Sequence, residues 1–233
     1  MIDIHCHLLF GVDDGPETIE GSIAMLEEAN EQGITNIILT PHYRRGMFKY
    51  DVDLVRRNKA ELDKHAETFG IKLYLGTEIH VNGDIIEYLD EGKYLPLADS
   101  DYVLTEYEYH VEYSYLFKMT KELLRHGYIP VLAHVERYRC LVENPQHLDE
   151  LREIGALIQV NAAAILGREG WGVKQYCKKI IKSGWVDFVA SDCHDLKKRI
   201  CRIGECYDYL EKKFGEKVAN RLTYKNARKI IGE

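Results

Sequence analysis

The sequence predicts an α/β domain whose parallel strands close into a barrel. Short apolar segments recur along the chain, an amphipathic helical pattern follows each of them, and most of these segments end in His, Asp or Glu. Strand–helix repeats of about 25–35 residues are typical of parallel sheets. Seven such repeats fit a barrel better than an open sheet.

The predicted strands cover Ile2–His7, Asn36–Thr40, Lys72–Gly76, Tyr102–Glu106, Pro130–His134, Leu157–Asn161 and Val186–Ser191. In the first helical pattern, Ile19, Ile23 and Leu26 share one face. Pro16 is predicted in its first turn, and Gly33 is predicted at its end. The other predicted helices are Val52–Phe69, Asp84–Glu91, Tyr115–His126, Gln146–Ile154, Gly172–Ser183 and Ile203–Phe214, followed by a short terminal one.

Composition and charge indicate one domain over residues 1–233, with no linker and no low-complexity segment. The net charge of −7 argues against a nucleic-acid binder that uses a basic face. No apolar run approaches the roughly 18 residues that span a bilayer, so we expect no direct membrane insertion. Six cysteines without a CxxC pair, and no recognisable signal peptide, predict free thiols and a cytoplasmic protein.

Side chains that bind metals fall at the ends of the predicted strands, where parallel α/β folds carry their functional groups. A single His or Glu at such a position is more often a cap or a buried structural group. A set spread over six strand ends indicates a metal site. The nine candidates are His5, His7, Asp14, His42, Glu78, Glu106, His134, Asp192 and His194.

Two short motifs strengthen this interpretation. His5-Cys6-His7 places two imidazoles on one face of a strand, because side chains alternate with period two. Such a pair suits zinc, manganese or iron. Asp192-Cys193-His194 repeats the pattern at the last strand, which neighbours the first if the barrel closes.

Charge indicates more than one ion. Four of the candidates are carboxylates, which would raise one another's pKa values if cations did not neutralise them. A single ion would leave the pocket negative. Three divalent ions against four carboxylates would leave an excess of two positive charges, which suits a phosphate dianion.

The motifs resemble those of the polymerase-and-histidinol-phosphatase (PHP) superfamily. The matching segments are Asp3-Ile4-His5-Cys6-His7, Asp14-Gly15, Pro41-His42, Glu78, Glu106, Ala133-His134 and Ser191-Asp192-Cys193-His194. This resemblance implies a distorted (β/α)7 barrel, similar to a TIM barrel, with a trinuclear metal centre.

Within that superfamily, the chain is similar to the manganese-dependent protein-tyrosine phosphatases of bacterial capsule and exopolysaccharide systems. The segments in question are Val12-Asp13-Asp14-Gly15-Pro16, Arg44-Arg45-Gly46-Met47-Phe48, Ala133-His134-Val135-Glu136-Arg137-Tyr138, Gln159-Val160-Asn161-Ala162 and Ala190-Ser191-Asp192-Cys193-His194-Asp195-Leu196. This resemblance implies hydrolysis of phosphotyrosine on the C-terminal tail of a bacterial tyrosine kinase that regulates capsule or exopolysaccharide synthesis.

The resemblance also implies three divalent ions, manganese or alternatively iron or zinc. One ion would take His5, His7, Glu78 and Asp192. A second would share Glu78 and add Glu106 and His134, and the third would take Asp14, His42 and His194. Asp14 is preferred because the family aspartate precedes a glycine, and Asp13 stays open as the alternative.

The implied mechanism uses a water that bridges two ions as the nucleophile, since metal binding lowers the pKa of water from about 15.7 toward 7. Arg137 and Arg199 match the arginines that the family directs at phosphate, and a guanidinium can hold two phosphate oxygens. The alternative for either arginine is a surface residue with a salt-bridge partner.

Three other functions compete with this one. Cys193 and Arg199 fit the C-x5-R spacing of cysteine-dependent tyrosine phosphatases, but no glycine lies between them to turn backbone amides inward. A histidinol-phosphate or other small-molecule phosphatase would keep the metals and change the substrate. A metal-stabilised accessory module would have lost turnover.

Overall fold

Parallel strands form the centre of the molecule, and the computed structural model describes all residues from 1 to 233. The strands are β1 (Ile2–Cys6), β2 (Asn36–Leu39), β3 (His42–Tyr43), β4 (Lys72–Leu75), β5 (Glu78–His80), β6 (Tyr102–Glu106), β7 (Ile129–Leu132), β8 (Leu157–Asn161) and β9 (Phe188–Ala190). They form a three-stranded sheet in the order β1-β2-β4 and a six-stranded sheet in the order β3-β5-β6-β7-β8-β9. All neighbouring strands are parallel.

Helices connect most of the strands, and three more follow the last strand. They are α1 (Ile19–Glu31), α2 (Val52–Ala66), α3 (Ile85–Asp90), α4 (Tyr113–Arg125), α5 (Arg139–Glu143), α6 (Gln146–Glu153), α7 (Ala162–Leu166), α8 (Trp171–Lys182), α9 (Ile203–Phe214), α10 (Glu216–Asn220) and α11 (Asn226–Arg228). No helix combines the length and the apolar character that crossing a bilayer requires.

The two sheets are joined by short interruptions. Only residues 40–41 separate β2 from β3, and only residues 76–77 separate β4 from β5. Hydrogen bonds continue across these gaps, since the Gly76 N–H donates to the Leu39 carbonyl (2.9 Å) and the Glu78 N–H donates to the Pro41 carbonyl (3.2 Å). Pro41 has no N–H to donate to the sheet, which accounts for the first interruption.

The sheet curls until its first and last strands meet. The His7 N–H donates to the Cys193 carbonyl, and the Asp192 N–H donates to the His5 carbonyl, each at 2.9 Å. The predicted α/β class and the curled parallel sheet are therefore confirmed. The count of seven strand–helix units stays a prediction.

Most predicted elements have ends within two residues of the observed ones. The prediction that Pro16 lies in the first turn of α1 was wrong. Helix α1 begins at Ile19, and the Thr18 hydroxyl caps it by accepting a hydrogen bond from the Gly21 N–H. Strands β3 and β5 and helices α5 and α7 were not predicted, because each has only two to five residues and shows little periodicity.

Apolar packing fills the amino-terminal part of the barrel. Side chains from five strands, Ile2 and Phe188 among them, pack against Ala227 and Ile230 of the C-terminal segment. The Asn226 amide anchors this segment by donating to the Asp187 carbonyl (2.8 Å), just before β9. The candidate metal ligands lie instead at the carboxyl ends of the strands.

Candidate metal centre

Two imidazoles at the end of β1 face each other, with the Nε2 atoms of His5 and His7 3.1 Å apart. The His5 Nδ1 lies 3.2 Å from the Gln159 side-chain oxygen, and the His7 Nδ1 lies 2.7 Å from an Asp13 oxygen. Because an amide oxygen and a carboxylate oxygen only accept, both Nδ1 atoms carry a proton, and in the neutral rings both Nε2 atoms are then free to bind a metal. Two lone pairs this close repel unless a cation binds both, so the pair fits a divalent metal.

Two buried carboxylates approach the same imidazole nitrogens. Glu78 places one oxygen 3.3 Å from His5 Nε2 and the other 3.2 Å from His7 Nε2. Asp192 Oδ1 lies 3.4 Å from His5 Nε2 and 3.6 Å from His7 Nε2. All four side chains are almost fully buried, and such a set of nitrogen and oxygen donors suits manganese, iron or zinc.

Glu78 also faces a third imidazole and a second carboxylate. His134 Nε2 lies 2.8 Å from Glu78 Oε1 and 3.8 Å from Glu106 Oε1. Burial and the charge of Glu78 raise the pKa of Glu106 to about 7. Burial would also raise the pKa of Glu78, but the imidazoles of His5 and His42 offset this and hold it well below its usual range. A bound cation would let Glu106 ionise beside the charged Glu78.

A more exposed group of donors lies beside the first. Asp14 Oδ1 lies 3.3 Å from His194 Nε2 and 3.5 Å from His42 Nε2. The His194 Nδ1 lies 3.1 Å from the Asp192 carbonyl and donates to it, so the Nε2 of the neutral ring is free to bind a metal. The His7 ring stacks on the His194 ring with centroids 3.8 Å apart, which joins this group to the buried one.

The neighbouring aspartates have different surroundings. Asp13 accepts hydrogen bonds from the His7 ring, the His42 N–H and the Gly15 N–H. Asp14 points instead at the imidazoles of His42 and His194. This geometry favours Asp14 as the ligand and gives Asp13 the task of orienting His7.

All nine predicted side chains therefore converge on one site. Their donor atoms fall into overlapping groups whose members lie within 4.8 Å of one another: His7 with Asp14, His42 and His194; His5 with Glu78 and His134; His5 with His7 and Asp192; and His42 with Glu78 and Glu106. The assignment of particular ligands to particular ions stays a prediction.

Backbone strain coincides with this site. His134 and Asp192 have φ values of 33° and 52°, in the left-handed region that residues with a Cβ rarely adopt. Among residues other than glycine, only Ala98 and Asp99, in the turn before β6, share this feature. Strain of this kind is typical of functional positions, where the surrounding structure holds it in place.

A chain of buried amides supports the ligands, and sequence reasoning missed its first member. Gln159 accepts from the His134 N–H (2.9 Å) and donates to the Asn161 side-chain oxygen (2.8 Å). Asn161 donates in turn to Asp192 Oδ2 (2.8 Å). A signal was available, because Gln159 and Asn161 are two polar residues spaced by two in an otherwise apolar strand.

The two predicted arginines lie beside Asp192. Arg199 Nη2 is 2.7 Å from Asp192 Oδ1, and Arg137 Nη1 is 3.1 Å from Asp192 Oδ2. Both side chains are about one-third exposed, and both line one cleft. Each has a salt-bridge partner, as the surface interpretation required, but that partner is itself a candidate ligand.

The geometry argues against a cysteine nucleophile. Cys193 is buried, and its sulfur lies 3.3 Å from the sulfur of Cys6. Although Cys193 and Arg199 have the C-x5-R spacing, the Cys193 sulfur does not line the cleft that contains Arg199.

Fold and site define an α/β protein with a candidate multinuclear metal centre at the carboxyl ends of its strands. A family model described as "Capsular polysaccharide synthesis, CpsB/CapC" matches residues 1–232. The chain is 35 % identical to tyrosine-protein phosphatase CpsB of Streptococcus pneumoniae, covering 99 % of this chain and 98 % of the relative. It is 36 % identical to tyrosine-protein phosphatase YwqE of Bacillus subtilis, covering 96 % and 89 %. The chain belongs to the CpsB/CapC family.

Solved structures agree with this assignment. One from a study of YwqE from Bacillus subtilis and CpsB from Streptococcus pneumoniae, described as unique metal-dependent tyrosine phosphatases, superimposes with a TM-score of 0.92 at 35 % identity. It covers 100 % of this chain and 94 % of that one. The histidinol phosphate phosphatase of Lactococcus lactis superimposes over 82 % of this chain and 85 % of its own, with a TM-score of 0.55 at 16 % identity, which shows a shared fold alone.

Proposed function

We propose that this chain is a metal-dependent protein-tyrosine phosphatase that hydrolyses phosphotyrosine on a protein partner. The convergence of nine His, Asp and Glu side chains beside two arginines carries the proposal. Relatives named tyrosine-protein phosphatases, 35–36 % identical over nearly the whole chain, support the substrate class. Residues 1–233 would act as one domain.

The donor set fits three divalent ions, manganese or alternatively iron or zinc. In this arrangement His5, His7, Glu78 and Asp192 would hold one ion; Glu78, Glu106 and His134 would hold a second; Asp14, His42 and His194 would hold the third. When bound, the ions supply Lewis acidity and lower the pKa of water enough for it to attack phosphorus near neutral pH.

The protein's own groups orient the ligands and hold the phosphate. Asp13 and Gln159 fix the tautomers of His7 and His5, so that the Nε2 lone pairs point into the site. Arg137 and Arg199 present guanidinium donors in the cleft beside Asp192, where they would bind phosphate oxygens. Tyrosinate has a pKa near 10 and leaves more easily than an alkoxide, so the site needs less help from a general acid.

The proposed partner is the tyrosine-phosphorylated C-terminal tail of a bacterial kinase that regulates capsule or exopolysaccharide synthesis, and the reaction would take place in the cytoplasm. The capsular polysaccharide description of the family supports this setting. Neither a nucleic acid nor insertion into a membrane is part of the proposal.

A substrate comparison tests the proposal. We expect the protein, purified and supplied with Mn²⁺, to hydrolyse a phosphotyrosine peptide faster than the same peptide with phosphoserine, and faster than histidinol phosphate. Preference for histidinol phosphate would assign a small-molecule phosphatase. Metal-loaded protein that hydrolyses no phosphoester would instead support an accessory module.

A further inference from the structure

A positively charged cleft contains the two arginines that lie beside Asp192. The cleft has a volume of about 170 Å³, and three further cations line it together with Arg137 and Arg199. These additional side chains are Arg168, Lys198 and Arg202. The proposed reaction gives a role to Arg137 and Arg199 only, so the outer cations have no function in it.

The charge balance of this cleft is opposite to that of the whole chain. Five cationic side chains line it, together with two carboxylates, Asp192 and Glu169. Glu205 and Asp14 contact its arginines from outside the lining. Within the lining, five cations against two carboxylates leave an excess of three positive charges, in a chain whose net charge is −7. A concave surface with such a local excess attracts anions.

The outer cations, Arg168, Lys198 and Arg202, have N–H donors that no carboxylate occupies. Arg168 and Arg202 both contact Glu205, at 3.0 Å and 2.8 Å, so one carboxylate serves two guanidinium groups. A guanidinium has five N–H donors, which leaves several on each arginine for a ligand. Lys198 is exposed, and no carboxylate lies within 4 Å of its ammonium group.

Backbone hydrogen bonds hold both walls of the cleft in place. On one wall, Asp195 Oδ1 accepts from the N–H groups of Lys197 and Lys198, each at 2.6 Å. The His194 N–H closes the same loop by donating to the Arg199 carbonyl (2.8 Å). On the other wall, the Arg168 N–H donates to the Ala163 carbonyl (2.9 Å). The backbone of the cleft therefore needs no rearrangement when a ligand binds.

We propose that the outer cleft, formed by Arg168, Lys198 and Arg202, binds a second anionic group of the substrate, close to the phosphotyrosine that is hydrolysed. The group is an acidic side chain or another phosphotyrosine of the same peptide. This inference rests on the proposed function, because Arg137 and Arg199 must first hold the scissile phosphate. The outer cations then select phosphotyrosines that have anionic neighbours.

Three peptides with the same central phosphotyrosine test the inference. In the first the phosphotyrosine is flanked by serines, in the second by aspartates, and in the third by another phosphotyrosine. The measured quantity is the ratio of kcat/KM on each anionic peptide to kcat/KM on the serine peptide, with manganese-loaded protein. The wild type should prefer the anionic peptides, and the preference should weaken as ionic strength rises. Comparison of the two anionic peptides shows whether carboxylate or phosphate is the better ligand.

Two variants that are expected to change this ratio in opposite directions make the test specific. Arg168→Ala removes a donor and should lower the ratio about threefold to fivefold, as expected for a partly exposed charge pair. Glu205→Gln frees both arginines from their carboxylate and should raise the ratio. Arg125→Ala is the matched control, because Arg125 is an exposed arginine at the end of α4 that contacts only Glu122.

The outcomes separate the two proposals. Equal hydrolysis of all three peptides by the wild type would refute anion binding in the outer cleft and leave the phosphatase activity standing. An unchanged ratio in both Arg168→Ala and Glu205→Gln would do the same. Failure of the wild type to hydrolyse any phosphotyrosine peptide would overturn the proposed function and this inference with it. Thermal unfolding of each variant identifies a fold defect, and Glu205→Gln tests the cleft even if Arg168→Ala is unstable.

Discussion

The inner and outer halves of the candidate site are built differently. Inner side chains such as His5, Glu78 and Asp192 lie at strand ends and are at most 1 % exposed. Outer groups such as Asp14 and Arg199 lie on loops and are 44 % and 36 % exposed. The inner half can therefore hold cations rigidly, whereas the outer half is open to a substrate. Substitutions in the two halves should therefore change different measured quantities.

The largest effect is expected in the inner half. His5→Ala should lower phosphotyrosine hydrolysis by about a thousandfold, beyond the roughly 10- to 100-fold range of residues that only support ligands. Metal analysis should show less than the wild-type amount of manganese per chain. His126→Ala, at an exposed histidine after α4, serves as the control. Full activity of His5→Ala would remove the inner half from the mechanism.

Arg137→Ala and Arg199→Ala probe the outer half. Each should lower kcat/KM by about a hundredfold, comparable to the loss of one donor to transition-state charge, with manganese content unchanged. Lysine at either position should recover part of the loss, because it keeps the charge but not the planar fork. Loss of metal together with activity would show that the arginines stabilise the ligand Asp192 rather than the phosphate.

A smaller effect is expected from the amide chain behind the inner half. Gln159→Leu removes the acceptor for the His5 ring and for the His134 N–H. We expect manganese affinity, measured by calorimetry on chelator-treated protein, to fall about tenfold. Gln159→Glu keeps an acceptor and should recover part of the affinity. Unchanged affinity in Gln159→Leu would make this residue purely structural.

The smallest effect is expected at the buried thiols. Cys193→Ser should keep most of the hydrolytic activity, because the Cys193 sulfur faces Cys6 rather than the cleft. Thermal unfolding should be followed alongside activity, since a hydroxyl is costlier to bury than a thiol. Complete loss of activity in a folded variant would favour the cysteine mechanism and contradict the metal-based one.

The positions of the ligands could be predicted because they depend on strand periodicity. His5 and His7 share a face by alternation, and the meeting of Asp192 with them follows from closure of the sheet. The interrupted strands could not be predicted, since β3 and β5 have only two and three residues. Gln159 was missed because its role depends on side-chain contacts across strands, and the outer cleft was missed because its walls are far apart in sequence.

Reconstitution with metal tests the central claim most directly. Protein stripped with a chelator should not hydrolyse phosphotyrosine peptide, and hydrolysis should return as Mn²⁺ is added, in step with the manganese bound per chain, up to three ions. Metal-free protein that hydrolyses the peptide at the full rate would contradict a metal-dependent reaction at this site.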